Sequence, residues 1–201
     1  ILSDAIAAAE VLCRDDPGSP GSVLGAAMAR SASSNGFKDK MGIVPVSNQI
    51  VGLGDWMEQL IAESTGKIGR GVLPIVLDSD SPELKTLADD FLTVGIVDKV
   101  SESNFDVAVS GPLGSQLLLW EVSTVVAAKL LGVSPFDQPD VESAKVASRA
   151  FLENKSANQS SLFTESGIEV FARNLDLGPS STLREALRLF LASADKDSYF
   201  A

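Results

Sequence analysis

Gln138, Glu142 and Lys145 stand four and three positions apart, a spacing that returns side chains to one face of a helix of about 3.6 residues per turn. The stripe offers an amide, a carboxylate and a cation, groups that orient a polar ligand, hold a charge and meet an anion or a sugar hydroxyl. Val141, Ala144, Ser148, Phe151 and Leu152 make the adjacent stripe, apolar enough to dock on a core. Lys145 therefore sits at the border from which a long cationic side chain reaches out of apolar surface. An ordinary capped helix with an i,i+3 pair of Glu142 and Lys145 satisfies the same spacing. In either case Asp137 is placed as the N-cap and Pro139 in the first turn, the positions these residue types favour. Acid–base chemistry near neutral pH has few other sources, because the chain has no histidine and one cysteine, Cys13. Only Glu, Asp, Lys or that thiol could move a proton. Two further carboxylates stand out: Glu63, which reads first as a solvated charge at a helix end, and Glu121, which interrupts an apolar helix, where a carboxylate either holds its proton more tightly or, more commonly, hydrogen-bonds a neighbouring helix start.

Composition narrows the function classes. With 201 residues, 45% of them hydrophobic and 21% charged, the chain is long enough for one substantial core with an appendage. A formal net charge of -11 and the lack of a basic run argue against nucleic acid and against an anionic membrane surface. An anionic substrate would have to be met by a few local donors against a repulsive field. One cysteine and no histidine leave neither an internal disulfide nor a zinc ligand set, so no metal and no cofactor are expected. No uninterrupted apolar run approaches the roughly 18 residues of a membrane span, and no signal segment opens the chain. The default expectation is a cytoplasmic protein.

The elements that must position these groups alternate between helix and strand. Residues 1–16 and 23–33 read as helices, 41–46 as the first strand, and 52–65 as an amphipathic helix with Leu53, Trp56, Met57, Leu60 and Ile61 inward. The continuous apolar run 72–77 reads as a strand buried on both faces, 83–90 as a short helix, 91–97 as an edge strand and 105–110 as a central one. Gly111 to Ser115 turns the chain into an apolar helix over 117–131, and this strand-to-helix turn could hold a phosphate on its free N–H groups. It lacks the third glycine of a dinucleotide fingerprint. Residues 154–167 read as a mobile loop, 168–172 as an alternating strand, and Thr182 to Glu185 as a capping box opening a last helix. The order implies an α/β fold with a mainly parallel sheet.

Phe136-Asp137-Gln138, then Val141-Glu142, then Lys145, preceded by Leu130-Leu131-Gly132-Val133, resembles the C-terminal signature of the glucose-6-phosphate isomerases. Pro139 and Asp140 fill its spacer as in bacterial forms. Glu63-Ser64-Thr65-Gly66-Lys67, running on to Gly69-Arg70-Gly71, is similar to a Glu-Ser-x-Gly-Lys segment of the same family, and Trp120-Glu121 with Thr124 resembles its bacterial Trp-Glu-x-x-Thr. The closest likeness is to shorter bacterial members, including those fused to a transaldolase.

The resemblance implies a three-layer αβα sandwich of the sugar isomerase (SIS) type with about five strands. It also implies interconversion of glucose 6-phosphate and fructose 6-phosphate through an enediolate. By that implication Lys145 is catalytic, close to the ring oxygen and reacting carbons. Gln138 binds substrate, and Glu121 and Glu63 are secondary candidates for the base. The family's ring-opening His and its Ser/Thr phosphate cradle have no counterpart here, so an N-terminal isomerase domain, and a fused transaldolase as a further partner, are expected outside these residues. Ile1 in place of an initiating Met, and 197–201 reading as an incoming strand, agree with a fragment that is inactive alone. The expected domains are 1–153 as the SIS-like domain, 154–167 as a flexible loop and 168–201 as a truncated β-α extension. Gln138 and Lys145 are expected to open on a cleft at the C-terminal ends of the strands, where open α/β sheets collect ligands. The alternative from a different class is a non-catalytic sugar-phosphate-binding module, since fold alone does not fix function.

Overall fold

A computed structural model describes residues 1–29, 31–32, 36–46, 50–153, 160–172 and 176–195. The chain divides into two compact units, Ile1–Lys145 and Val146–Ala201.

The first unit opens with α1 (Leu2–Leu12) and α2 (Pro20–Met28), followed by a two-residue antiparallel pair, β1 (Ser31–Ala32) with β2 (Gly36–Phe37). The second helix starts earlier than its sequence suggests because the Ser19 hydroxyl accepts the Ser22 N–H and Pro20 occupies the first turn, the arrangement that nucleates helix ends best. Then come β3 (Lys40–Pro45), α3 (Leu53–Thr65), β4 (Leu73–Val76), β5 (Phe91–Ile96), β6 (Val107–Val109) and α4 (Leu113–Leu131).

The four longer strands form one parallel sheet in the order β4-β3-β5-β6. The expected layered α/β fold is present with four strands rather than about five. Two placements differ from expectation. β5 lies inside the sheet, between β3 and β6, and is buried along its whole length, whereas β4 and β6 are the edges. Apolar content alone does not separate the two cases, since the run 72–77 is as apolar as the run that sits inside.

Alternation along β3 and β5 sorts the core into two layers. Met41 and Ile43, with Leu92, Val94 and Ile96, face Met57 and Ile61 of α3 and Trp120 and Ala127 of α4. Val44 and Phe91 face the other way, with Leu77, Ile75, Leu84 and Phe105. On that second face the expected helix over 83–90 is reduced to a 3-10 turn, Pro82–Lys85. Aromatic rings complete the cover: a Cβ on Gly95 would lie 2.1 Å from the Phe105 ring, so the ring lies directly on the strand.

α4 is the hub of the helical layer, packing on α1, α2 and α3. Its end is set by Gly132, left-handed at φ 74, with the Val133 N–H returning to the Ala128 carbonyl, a Schellman closure. α5 (Pro139–Glu153) follows, with the Gln138 carbonyl accepting the Glu142 N–H. No described helix is long and apolar enough to cross a membrane.

In the second unit β7 (Phe163–Glu165) pairs antiparallel with β8 (Ile168–Val170) across Ser166 and Gly167, both at positive φ. The expected loop 154–167 thus ends in a strand and a two-residue turn, while 154–159 lie outside the described residues. α6 (Leu183–Ala192) opens on the expected Thr182 and Glu185 pair: Thr182 Oγ1 accepts the Glu185 N–H at 3.3 Å, while Glu185 Oε2 accepts the N–H of Ser181, one residue before the cap. The incoming strand expected at 197–201 also lies outside the described residues.

Candidate functional site

Two segments far apart in sequence meet where α3 ends and α4 gives way to α5. The last turn of α3 is locked by Thr65, which is fully buried. Its hydroxyl donates to the Ile61 carbonyl at 2.8 Å and accepts the Val72 N–H at 3.1 Å. One side chain therefore ties the helix end to the start of β4. Between them Lys67 and Arg70 exchange backbone hydrogen bonds around Ile68 (φ 49) and Gly69 (φ 72), a tight turn with both central residues left-handed. The turn fixes the directions in which Lys67 and Arg70 leave the backbone, and the last turns of α3 fix that of Glu63.

All three reach the end of α4 or the segment after it. Arg70 Nη1 donates to the Leu131 carbonyl at 2.8 Å, placing a cation on the negative end of that helix. Lys67 is 4% exposed; its ammonium donates to the Ser134 carbonyl and lies 3.4 Å from the Asp137 carboxylate. Gln138 Nε2 donates to Glu63 Oε2 at 3.0 Å, and Gln59 Nε2 donates to the other oxygen at 3.2 Å. Glu63 is exposed, so it is a carboxylate oriented by two amides with one side open to solvent. An ionised carboxylate only accepts hydrogen bonds, and amides on both oxygens fix its plane. Chemically, such a group can take a proton from a molecule docked on its open side.

Of the residues singled out by sequence, Glu63 and Gln138 are brought together. Lys145 stands further along α5 and pairs with Glu142 at 2.8 Å, the partner its spacing indicates. Glu121 lies on the exposed side of α4 and joins none of these groups. The Asp137 carboxylate, expected at the start of α5, is turned to Lys67, since a buried ammonium demands a counter-charge. Sequence reasoning passed over Lys67 and Arg70, which carry no periodicity signal and whose partners lie over 60 positions away.

The location also differs from expectation. α3 runs back from the end of β3 to the start of β4, and α4 runs back from the end of β6. The cluster therefore sits at the N-terminal edge of the strands, not in the crevice at their C-terminal ends.

No protein-family model matches the chain, and no curated protein matches it. Among solved structures it is similar to a hypothetical protein from Thermus thermophilus, with 17% identity over 74% of this chain and 48% of that one, at a TM-score of 0.55. The chain thus spans about half the length of that protein, and the likeness at this identity is one of fold.

Proposed function

We propose that this chain supplies one side of the sugar site of a cytoplasmic aldose–ketose isomerase of the glucose-6-phosphate isomerase kind, acting on glucose 6-phosphate and fructose 6-phosphate. The observation that carries the reading is the contact of Gln138 with Glu63, since the two stretches whose residues resemble that family meet through it. In this reading Glu63, rather than Glu121, is the base that moves the proton between the two carbons. Gln138 and Gln59 hold its plane. Lys145 contributes positive charge to the enediolate oxygens, where a fixed cation lowers the barrier most. Lys67 and Arg70 act on the protein, keeping the two segments in register. The chain has no histidine, so the group that opens the sugar ring and the phosphate cradle belong, in this proposal, to residues outside it, and a dry site is completed only with them.

The test is turnover of fructose 6-phosphate by the full-length protein, followed as glucose 6-phosphate formed. Isomerisation that falls about a thousandfold in Glu63→Gln and is unaffected in Glu121→Gln agrees with the proposal. A full-length protein without isomerase activity, or an unimpaired Glu63→Gln, refutes it. The exposure of Glu63 in this chain favours a second reading for the isolated 201 residues, a sugar-phosphate-binding module. Saturable binding of fructose 6-phosphate without turnover would identify it.

A further inference from the structure

The turn between α4 and α5 presents a nucleophilic side chain to solvent. Three serines of the chain precede a proline: Ser19, Ser81 and Ser134. A residue before proline is held extended, clear of a helix, so each could be offered to an enzyme that modifies hydroxyls. Ser19 is 4% exposed, and its hydroxyl is spent on Ser22, donating to Oγ at 3.0 Å and accepting the N–H. Ser81 is half-buried at the start of the 3-10 turn, between Asp78, Asp80 and Glu83, whose charges repel a phosphoryl group. Ser134 is exposed. Its oxygen accepts the Phe136 N–H at 3.4 Å, and its proton goes to no group among the described residues.

Two cations stand beside it. The Lys67 ammonium donates to the carbonyl of Ser134 itself, and Arg70 Nη1 donates to the Leu131 carbonyl, three residues back, at 2.8 Å. A guanidinium has five donors, and this bond uses one of them. In a chain of net charge -11, a serine that has both a lysine and an arginine at its backbone is a place where an added anion would be received.

We propose that Ser134 is a phosphorylation site, and that the phosphate releases the junction in which it stands. The co-reactant is a nucleoside triphosphate, presented by a protein kinase that reads Ser-Pro. Ser134 Oγ attacks the γ-phosphorus, and the new O–P bond replaces the bond to the bridging oxygen. The hydroxyl proton passes to the kinase's base, and the nucleoside diphosphate leaves. Phosphoserine carries about -1.5 to -2 charges at pH 7 and three strong acceptor oxygens, which form short charge-assisted bonds with Lys and Arg. Asp137, three residues on, has its carboxylate 3.4 Å from Lys67 Nζ. A phosphate competes with that carboxylate for the ammonium and repels it as a like charge. Asp137 leaves Lys67, and Gln138, the next residue, is drawn off Glu63, to which it donates at 3.0 Å. The consequence for activity, a base released from its orienting amide, rests on the isomerase reading; the modification and the movement of Gln138 do not.

The experiment treats the folded 201-residue chain with a proline-directed serine/threonine kinase and ATP, maps the phosphate by peptide mass spectrometry and follows the Gln138 side-chain amide by NMR. The expected result is phosphate at Ser134 and none at Ser19 or Ser81, at least tenfold less incorporation in Ser134→Ala, and a displaced Gln138 amide resonance. In Asp137→Asn, a substitution at an exposed side chain, no like charge remains to be driven off. There phosphorylation should move the Gln138 amide less than a third as far. The proposal is overturned if the folded chain takes no phosphate at Ser134, if Ser19 or Ser81 is labelled in preference, or if phosphorylated Ser134 leaves the Gln138 resonance in place. A displacement in Asp137→Asn as large as in the parent also overturns it. None of these readouts is activity, so a full-length protein without isomerase activity refutes the isomerase reading and leaves the switch standing.

Discussion

The side-chain amide of Gln138 donates to the Glu63 carboxylate at 3.0 Å, across 75 positions of sequence. With Gln59 on the other oxygen, it decides the plane in which that carboxylate faces solvent. If Glu63 is the base, Gln138→Leu leaves it present but free to rotate about its last bonds. The expected result in the full-length protein is a fall in kcat of ten- to a hundredfold on fructose 6-phosphate with little change in KM, because orientation acts on the chemical step. A change in KM alone would mean that Gln138 meets substrate and does not orient Glu63.

Lys145 makes a contrasting case. Its pair with Glu142 is exposed and worth only about 0.3–0.5 kcal/mol, so Lys145→Ala should leave the unfolding midpoint almost unmoved. If the isomerase proposal holds, it should lower kcat/KM of the full-length protein by about a hundredfold, since a fixed charge at a developing oxyanion is worth about 3 kcal/mol. Loss of folded protein with full specific activity in what remains would make Lys145 a structural residue.

Lys67 should behave in the opposite way. It is buried, with its ammonium on the Ser134 carbonyl and beside Asp137. Lys67→Ala removes the donor and most of the packed stem. The expected loss is about 1–3 kcal/mol, read as a lower urea midpoint, with Lys67→Met recovering the part that comes from apolar packing. Asp137 is largely exposed and returns to water, which keeps the cost below that of a fully buried pair. An unchanged midpoint in Lys67→Ala would show that the junction of the two segments is held by Arg70 and Glu63 alone.

The sequence made the layers legible because alternation and turn chemistry are local signals: Gly52 and Gly66 bracket α3, Gly132 closes α4, and the Thr182 and Glu185 pair opens α6. Strand position was not local. Whether 91–97 lies inside or at an edge depends on which strands it pairs with, and the run 72–77, which forms an edge strand, is as apolar as it is. The Gly111 to Ser115 turn shows the same limit. A Cβ on Gly114 would lie 1.9 Å from the Ile1 carbonyl oxygen, so that glycine admits α1 and not an anion, a requirement set by a helix over a hundred positions away. The candidate site was half legible. Residue types pointed to Glu63 and Gln138 separately, but only tertiary structure brings them into contact.

Asp106 links stability to acid. Burial raises its pKa, but the Thr93 N–H, the Lys38 charge and the Thr93 hydroxyl outweigh this and hold it below the ordinary carboxylate value. A folded-state value below the unfolded one contributes stability that is complete above the unfolded pKa of about 4 and is lost as pH falls through the folded one. Asp106→Asn should therefore be less stable than the parent at pH 7, with the gap narrowing below about pH 4. Urea midpoints at pH 7, 4 and 3 test this. A gap that stays constant with pH would mean that the hydrogen-bond geometry, and not the charge, is what Asp106 contributes.

Ile68 occupies the first central position of the tight turn at φ 49 and is 74% exposed. Left-handed backbone costs an L-residue about 1–2 kcal/mol, and a β-branched side chain is among the least suited to it. Its exposure means that little packing compensates. Ile68→Asn would give the Asn-Gly pair that such turns favour without touching Lys67, Arg70 or Thr65. We expect a gain of about 1 kcal/mol, equivalent to a rise in Tm of about 2–4 °C for a chain of this size. In the full-length protein the same substitution should leave kcat/KM within about twofold if the turn serves only to aim Lys67 and Arg70. A rise in Tm accompanied by a large loss of the proposed activity would instead place the exposed Ile68 side chain against the substrate or against the rest of the full-length protein, and the strain would then be part of the site.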